Sequence, residues 1–482
     1  MSQSKYQLGF TSLDRETSVN ELPVRGNVPL WLVGTLVRTG PAKFEVGRNN
    51  YNHWFDGLAM LHRFGFSEGR VFYTNRFLRS RSYEEAIGAG RISRSEFATD
   101  PCRSLFGRVA AFFRPRLTDN ANVSINKIGD EVVALTETPL PIRFDPSTLE
   151  TLGVIEYQSE VRGQISIAHP HLDFRRRCSY SYVLKFGRRS EYRVFRTAWD
   201  VDRQNVICAI PVDKPAYMHS IGMTERYLIV AEFPLVVDPL RLKFSGKPFI
   251  QNYGWQKNRG VRFHIVEKDS GRVIARPESE PFFSFHHVNA FEEDGQVVVD
   301  LAAYSDARVI DQLYLSRLRS DQPVNATAKL TRFRVHLSGS NEVRSRVISD
   351  VPIELPRIDY RRRAGRPYRI VYGAGNQRSG DFIDNIVRID VQTGAFVTWF
   401  EDGCYPGEPV FVASPDANVE DEGVLLSVVL DGNRQRSFLL VLDAGNLTEL
   451  ARAEAPHHIP FGFHGNYLAS ASGPESYRDL HR

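Results

Sequence analysis

The residues best suited to chemistry in this chain are its histidines. There are 13 of them, against four cysteines at Cys102, Cys178, Cys208 and Cys404. The cysteines lie far apart and form no C-x-x-C pair, which argues against a cysteine zinc site or a disulfide framework and fits a reducing compartment. A metal here would have to be held by imidazole and carboxylate. The stretch FFSFHHVNAFEEDGQ, residues 282–296, sets His286 and His287 side by side in an apolar run. On a strand, successive side chains point to opposite faces, so only one of the two faces the interior. A single buried histidine is ordinarily structural. Several that converge on one point would be a metal site.

Convergence depends on the elements that carry them. Short β-branched and aromatic runs broken by Gly, Asp, Asn and Pro dominate the chain. One hairpin form recurs, an apolar strand, a polar turn and a second strand, at 61–73, 142–154, 194–210, 263–275, 333–348, 386–399 and 439–453. Seven such units spaced roughly 50–80 residues apart predict an all-β fold, a seven-bladed β-propeller with a helical and loop cap over one face. The expected domain is single, 1–482, with a short N-terminal extension and a tail from about 470. Against turns near 145, 200, 267 and 443, His169, His219, His286 and His464 each fall 19–24 residues later. Glu354 and Glu408 fall 17 and 18 residues after turns near 337 and 390. That phase is where the innermost strand of the next blade should run, beside the propeller axis. Four imidazoles far apart in sequence would then meet at one point.

Four neutral imidazoles suit zinc, copper or ferrous iron. Zinc would close a tetrahedral site and be structural, whereas octahedral Fe(II) would keep two positions free. The second N–H of each imidazole needs an orienting acceptor, and glutamates at the same phase are suitable. For His53, His62, His264, His336, His457, His458 and His481 the reading is structural. The hydrophobic fraction of 42% and the charged fraction of 24% are those of a folded soluble chain. A net charge of +4 and the absence of any recognition motif give no reason to expect nucleic acid. The N-terminus carries no apolar secretory region, and no apolar run approaches the ~18 residues of a membrane span. The expected location is cytoplasmic, with a peripheral membrane contact.

Seven segments in order, HWFDGLAMLH (53–62), ALTETPLP (134–141), IAHPHLDF (167–174), YMHSIGMTERYLIV (217–230), FHHVNAFEEDG (285–295), YPGEPVFVASPDANVEDEGVLLSVV (405–429) and FGFHG (461–465), resemble those of the carotenoid cleavage oxygenases. That family includes plant epoxycarotenoid dioxygenases, microbial apocarotenoid oxygenases, lignostilbene dioxygenases and the vertebrate retinal-pigment-epithelium retinoid isomerase. The resemblance implies a seven-bladed propeller with Fe(II) on its axis and O2 as co-substrate. It implies His169, His219, His286 and His464 as ligands, and leaves His287 on the outward face because the F-H-x-x-N-A pattern puts its ligand three residues before the Asn, here Asn289. It also implies Glu137, Glu354 and Glu408 as partners of His219, His286 and His464 in that order. Glu137 rests on the resemblance alone, since it does not fit the blade phase. Three carboxylates against a divalent ion would leave a net charge near −1.

The implied reaction is oxidative cleavage of a polyene double bond to two carbonyl products. Stilbene-cleaving members resemble one another in a lysine just before the first glutamate. Here that position is Thr136, a candidate substrate-pocket residue that favours a carotenoid or apocarotenoid. A retinoid isomerase using the same iron site, a stilbene-cleaving oxygenase and a non-enzymatic, metal-stabilised propeller are the alternatives. DPCRSLFGRVAAFFRPR (100–116) predicts a short helix with Leu105, Phe106, Phe112 and Phe113 on an apolar face edged by arginines. Such a helix can pack on the propeller or dip into a membrane surface. FPLVVDPLRLKF (233–244) is a second candidate for that contact.

Overall fold

Each of the seven hairpins forms in a computed structural model, which describes residues 5–101, 117–200, 203–337 and 343–470. Each is the third and fourth strand of its own antiparallel sheet. Blade 1 carries the pair Leu58–Ser67 and Arg70–Phe77, blade 2 Ile142–Phe144 and Thr151–Val154, and blade 3 Ser190–Ala198 and Arg203–Val212. Blade 4 has Val261–Glu267 with Val273–Ala275, and blade 5 has Lys329–His336 with Val343–Pro352. Asn385–Asp390 pairs Phe396–Phe400 in blade 6, and Arg436–Asp443 pairs Glu449–Glu454 in blade 7. The expected seven-bladed propeller is the observed fold.

The gradient of burial along each blade follows the sequence. Gln296–Ala303 (QVVVDLAA) and Tyr227–Glu232 (YLIVAE) are second strands, buried on both faces because neighbouring blades sandwich them. Their near-continuous apolar runs reflect that double burial. Each such Val, Ile or Leu withdrawn from water contributes about 1.5–3 kcal/mol. The rim strand Val343–Pro352 (VRSRVISDVP) is mostly exposed on both faces and correspondingly charged. Hydrophobicity therefore grades from the middle of each blade outward.

The ring closes at blade 1. Gly465–Ala469 pairs antiparallel with Gly34–Lys43 as its innermost strand, joining the end of the described chain to its beginning. Two N-terminal strands finish outer edges, Thr17–Val19 on blade 1 and Val24–Gly26 on blade 7. Unpaired strand edges invite association, and these additions cover two of them.

Short helices lie between blade strands, at Arg81–Ala89, Pro239–Phe244, Arg308–Gln312, Leu315–Leu318 and Tyr360–Arg363. Among the described residues no helix is long and apolar enough to cross a membrane. Leu105, Phe106, Phe112 and Phe113 lie outside the described residues. The second apolar candidate is described: Leu235–Val237 is a buried strand, and Pro239–Phe244 is a helix capped by Asp238.

Candidate metal centre

The inner strands place the histidines as the period predicts. His219 lies three residues before Gly222–Met223 of blade 4, and His464 immediately precedes Gly465–Ala469. His286 immediately precedes His287–Glu293 of blade 5. His169 sits between two short stretches, Ile165–Ser166 and His171–Asp173, that share the inner edge of blade 3. Glu354 opens the inner strand Glu354–Arg357 of blade 6. Glu408 lies between the two inner stretches of blade 7, Cys404–Pro406 and Val410–Ala413.

Glu137 breaks the phase for a structural reason. It follows Glu131–Leu135, the second strand of blade 2, and Leu135 pairs with Ser124 at the start of the inner strand. Antiparallel pairing returns the end of the second strand to the end of the sheet where the first begins. Blade 2 thus brings its carboxylate to the axis from the second strand.

The four imidazoles meet, with ligand atoms all within 4.8 Å of one another. The carboxylates fix which nitrogen faces inward. His219 Nδ1–H donates to Glu137 Oε1, His286 Nδ1–H to Glu354 Oε2 and His464 Nδ1–H to Glu408 Oε1, each at 2.6 Å. A carboxylate accepts only, so the proton sits on Nδ1 and each Nε2 keeps a lone pair. Nε2 of His286 and Nε2 of His464 are 3.1 Å apart. Two lone pairs aimed at each other at that distance repel unless a cation lies between them. His169 Nε2 is likewise 3.1 Å from His219 Nε2. This donor set fits a divalent metal. Burial pushes His169 well below its ordinary value and His464 down to about 4, so both are neutral and able to ligate at neutral pH. Among the described residues no carboxylate bonds His169.

The three glutamates differ in their surroundings. Tyr217 O–H donates to Glu137 Oε1 at 2.7 Å. Glu354 Oε2 accepts the Leu355 backbone N–H at 2.9 Å. Burial alone would raise the Glu354 carboxyl, but His286, Leu355 and Tyr304 hold it below its usual range. Glu408 is fully buried and meets two guanidiniums. Arg357 Nε donates to Glu408 Oε1 at 2.8 Å, and Arg38 Nη1 lies 3.8 Å from Oε2. The Gly465 backbone N–H also donates to Glu408 Oε2, at 2.8 Å. Burial raises this carboxyl, and Arg357, His464 and Arg38 together drive it far below its ordinary value. The two arginines correct the charge expected from sequence. Three carboxylates, two guanidiniums and a divalent ion sum to about +1, not −1.

Sequence reasoning missed both arginines. Arg357 is three residues after Glu354, a spacing that an ideal pleat would send to the opposite face. Leu355 has φ 49°, in the left-handed region that a leucine rarely adopts, and the pairing slips between Glu354 and Arg357. The slip lets both side chains reach the axis. The F-H-G glycine has its own reason. A Cβ on Gly465 would lie 2.5 Å from Arg38 Cγ and 2.8 Å from the Val37 carbonyl oxygen.

His287 does turn away from the other imidazoles, but it does not face solvent. The strand begins at His287 and not earlier, and its ring packs between blades 4 and 5. A Cβ on Gly222 would come within 3.2 Å of His287 Cδ2. Ser220 Oγ donates to the Phe285 carbonyl at 2.6 Å and therefore accepts from His287 Nδ1–H at 2.8 Å. Burial lowers His287 to about 3, and its Nε2 has no hydrogen-bond partner among the described residues. The outward face expected for it is an inter-blade face. Of the other histidines, His53 shows the structural role expected: its Nε2 bonds the Ile310 carbonyl at 3.0 Å, and its Nδ1 accepts from the Phe55 N–H.

A cavity of about 410 Å³ opens beside the imidazoles. His219, His286 and His464 line it together with Glu137 and Glu354, while His169 and Glu408 do not. Aromatic rings form its walls near the metal position: Phe55 stacks 6.5 Å from His219, and Phe285 lies 5.5 Å from the same ring edge-on. Thr136 lies on the wall beside Glu137.

The geometry has counterparts among known proteins. The family model described as retinal pigment epithelial membrane protein matches residues 10–469. The human mitochondrial carotenoid-cleaving dioxygenase is 35% identical over 522 aligned positions, covering 94% of this chain and 90% of that protein. The β,β-carotene 15,15'-dioxygenase of Gallus gallus is 35% identical, covering 92% of this chain and 94% of its own length. A mutant of the Synechocystis apocarotenoid oxygenase superposes with a TM-score of 0.87 at 27% identity, covering 97% of this chain and 98% of that one. The cobalt-substituted form of that oxygenase superposes at 0.86, with the same 27% identity and the same coverage of 97% and 98%. From residue 10 to residue 469, then, this chain belongs to the retinal pigment epithelial membrane protein family, the carotenoid oxygenases.

Proposed function

We propose that the chain holds Fe(II) with His169, His219, His286 and His464 and uses O2 to cleave a carbon–carbon double bond of a carotenoid or apocarotenoid into two carbonyl products. One observation carries this reading: lone pairs of carboxylate-oriented imidazoles converge on the wall of an aromatic-lined cavity. The names of the human, chicken and Synechocystis relatives support the substrate class. Bound iron would supply O2 activation at the positions that four imidazoles leave free. The chain's own work is placement. Phe55, Phe285 and Phe463 exclude water and hold one segment of a rod-shaped polyene beside the histidines. Glu137, Glu354 and Glu408 fix the tautomer and the direction of three ligands. Thr136, short and uncharged, offers no counter-charge for a phenol oxygen and suits a hydrocarbon chain.

The cavity mouth fits delivery from a membrane surface. Leu242 of the helix Pro239–Phe244 and Lys247 just beyond it line the cavity, and on that helix Leu240 and Phe244 are each 68% exposed. Arg241 and Lys243 flank them, a composition suited to anionic headgroups. Liposome co-sedimentation of a Leu240→Glu, Phe244→Glu variant tests this contact; binding equal to the wild type would remove it.

The function is tested by loading the protein with iron and analysing the products of a panel of carotenoids, apocarotenals and hydroxystilbenes by mass spectrometry, with O2 uptake recorded. The expected result is two carbonyl products and one O2 consumed per polyene cleaved. Cleavage of hydroxystilbene alone would overturn the substrate class, and turnover without O2 uptake would favour isomerisation. One zinc per chain with no activity after iron loading would make the metal structural.

A further inference from the structure

Besides the histidines and their glutamates, the apolar cavity has polar lining residues, among them Ser95, Glu96, Thr118, Thr136 and Thr138, and Thr138 Oγ1 donates to the Thr118 carbonyl at 2.7 Å. Glu96 is 6% exposed. Its carboxyl and the imidazoles of His219, His286 and His464 line the same cavity. Thr118 Oγ1 donates to Glu96 Oε1 at 2.8 Å. No other side chain among the described residues bonds the Glu96 carboxyl. Arg94, whose charge acts on this carboxyl, bonds other groups. It donates to both Glu85 oxygens, at 3.0 and 2.7 Å, and to the Leu117 carbonyl at 2.8 Å. Burial, reinforced by Asp56 and Asp119, holds the Glu96 carboxyl well above its ordinary value. That burial favours the protonated, neutral form of the carboxyl. A buried neutral carboxyl on a cavity wall has a donor to offer and needs an acceptor.

We propose that Glu96 anchors an oxygen-bearing end of the substrate, so that the preferred polyene carries a hydroxyl or carbonyl group there in place of a hydrocarbon terminus. The assignment rests on the reading above that the cavity holds a polyene, and it narrows that class. A site built to bond an oxygen discriminates strongly against the analogue lacking it, because its own polar group is left unpaired. Thr136 and Thr138 add hydroxyl groups to the same cavity lining.

The test uses the iron-loaded full chain and polyenes of matched length with and without the terminal oxygen, an apocarotenal and its deoxygenated hydrocarbon. The wild type should favour the oxygenated member by about tenfold or more in kcat/KM, carried by KM. Glu96→Leu should abolish the preference, and Glu96→Gln, which keeps an N–H donor, should retain most of it. Equal values in the wild type, or a preference that survives in Glu96→Leu, would overturn the proposal. Should the Leu variant fail to fold, the wild-type pair still decides. Ligand binding read by quenching of tryptophan fluorescence, with Trp54 on the cavity wall, needs no turnover. Oxygenated ligand bound about tenfold tighter without any cleavage would leave this assignment standing and the oxygenase reading overturned; equal binding would overturn the assignment itself.

Discussion

Two sides of the histidine cluster solve the same problem in opposite ways. Toward the cavity, Glu137 and Glu354 orient His219 and His286, with tyrosine hydroxyl groups close by and, among the described residues, no cation bonded to either. Away from the cavity, Glu408 orients His464 while held between Arg357 and Arg38, fully buried. The cavity side can relax toward a polarizable space. The sealed side has no water to screen it, and a lone carboxylate there would cost several kcal/mol. The same ligand-orienting task therefore requires countercharges on one side and only hydroxyls on the other. A hydrogen bond to a ligand and the charge balance of its surroundings are separable properties.

The largest expected effect treats both sides alike. Replacing His464 or His219 by Ala removes a lone pair from the cluster and should abolish stoichiometric metal binding and cleavage, as read by elemental analysis and O2 uptake. The comparison breaks at the next step. Glu408→Gln leaves the buried Arg38 and the partly buried Arg357 without their anion and should cost about 3–5 kcal/mol of fold stability. It should also lower metal affinity or activity about 10–100-fold. Glu137→Gln and Glu354→Gln should show a similar loss of affinity with stability changed by only about 1 kcal/mol. Urea unfolding of the metal-free variants checks this, and equal stabilities would mean that the arginines are not tied to Glu408 as described.

Acid exposes a background against which those differences must be read. Burial lowers both His53 and His62 from the ordinary histidine value to about 3. Each binds a proton in the unfolded chain below about pH 6.5 but not in the folded one until about pH 3. Stability from these two is fully present above pH 6.5 and is lost as pH falls, by up to about 1.4 kcal/mol per pH unit for each. Unfolding midpoints should drop steeply between pH 6.5 and 5, and His62→Phe should flatten that slope. A smaller effect tests the cavity side alone. Tyr217→Phe removes one donor from Glu137 and should weaken metal binding only severalfold, about 1 kcal/mol. The smallest change in metal content belongs to His287→Ala, whose ring faces blade 4. An iron-free His287→Ala protein would exchange the roles of the two neighbours.

The hairpins were legible because each needs only a local pattern, apolar runs about a polar turn, and the blade repeat then fixed the phase of six of the seven axial residues. Glu137 escaped because it reaches the axis from a second strand, through the Ser124–Leu135 pairing, which no period reports. Arg357 escaped because Leu355 is left-handed and shifts the alternation by one. Arg38 comes from the strand Gly34–Lys43, at the far end of the chain from Gly465–Ala469, with which it pairs. The burial of His287 was hidden for a related reason: pleat alternation says which way a side chain leaves a sheet, not whether another blade stands there. What the sequence withheld was long-range pairing and local departures from ideal pleat.

Closure of the ring by Gly465–Ala469 also sets a clock. A ribosome adds about 5–20 residues per second, and His464 follows His169 by 295 positions. About 15–60 s therefore separate the emergence of the earliest and the latest imidazole. Through that interval the nascent propeller is an open arc, with three histidines at most and no partner for Arg38 across the gap. The metal can be held as described only once the arc becomes a circle. Metal occupancy then reports on maturation: a chain that has taken up its ion has already paired Gly465–Ala469 with Gly34–Lys43.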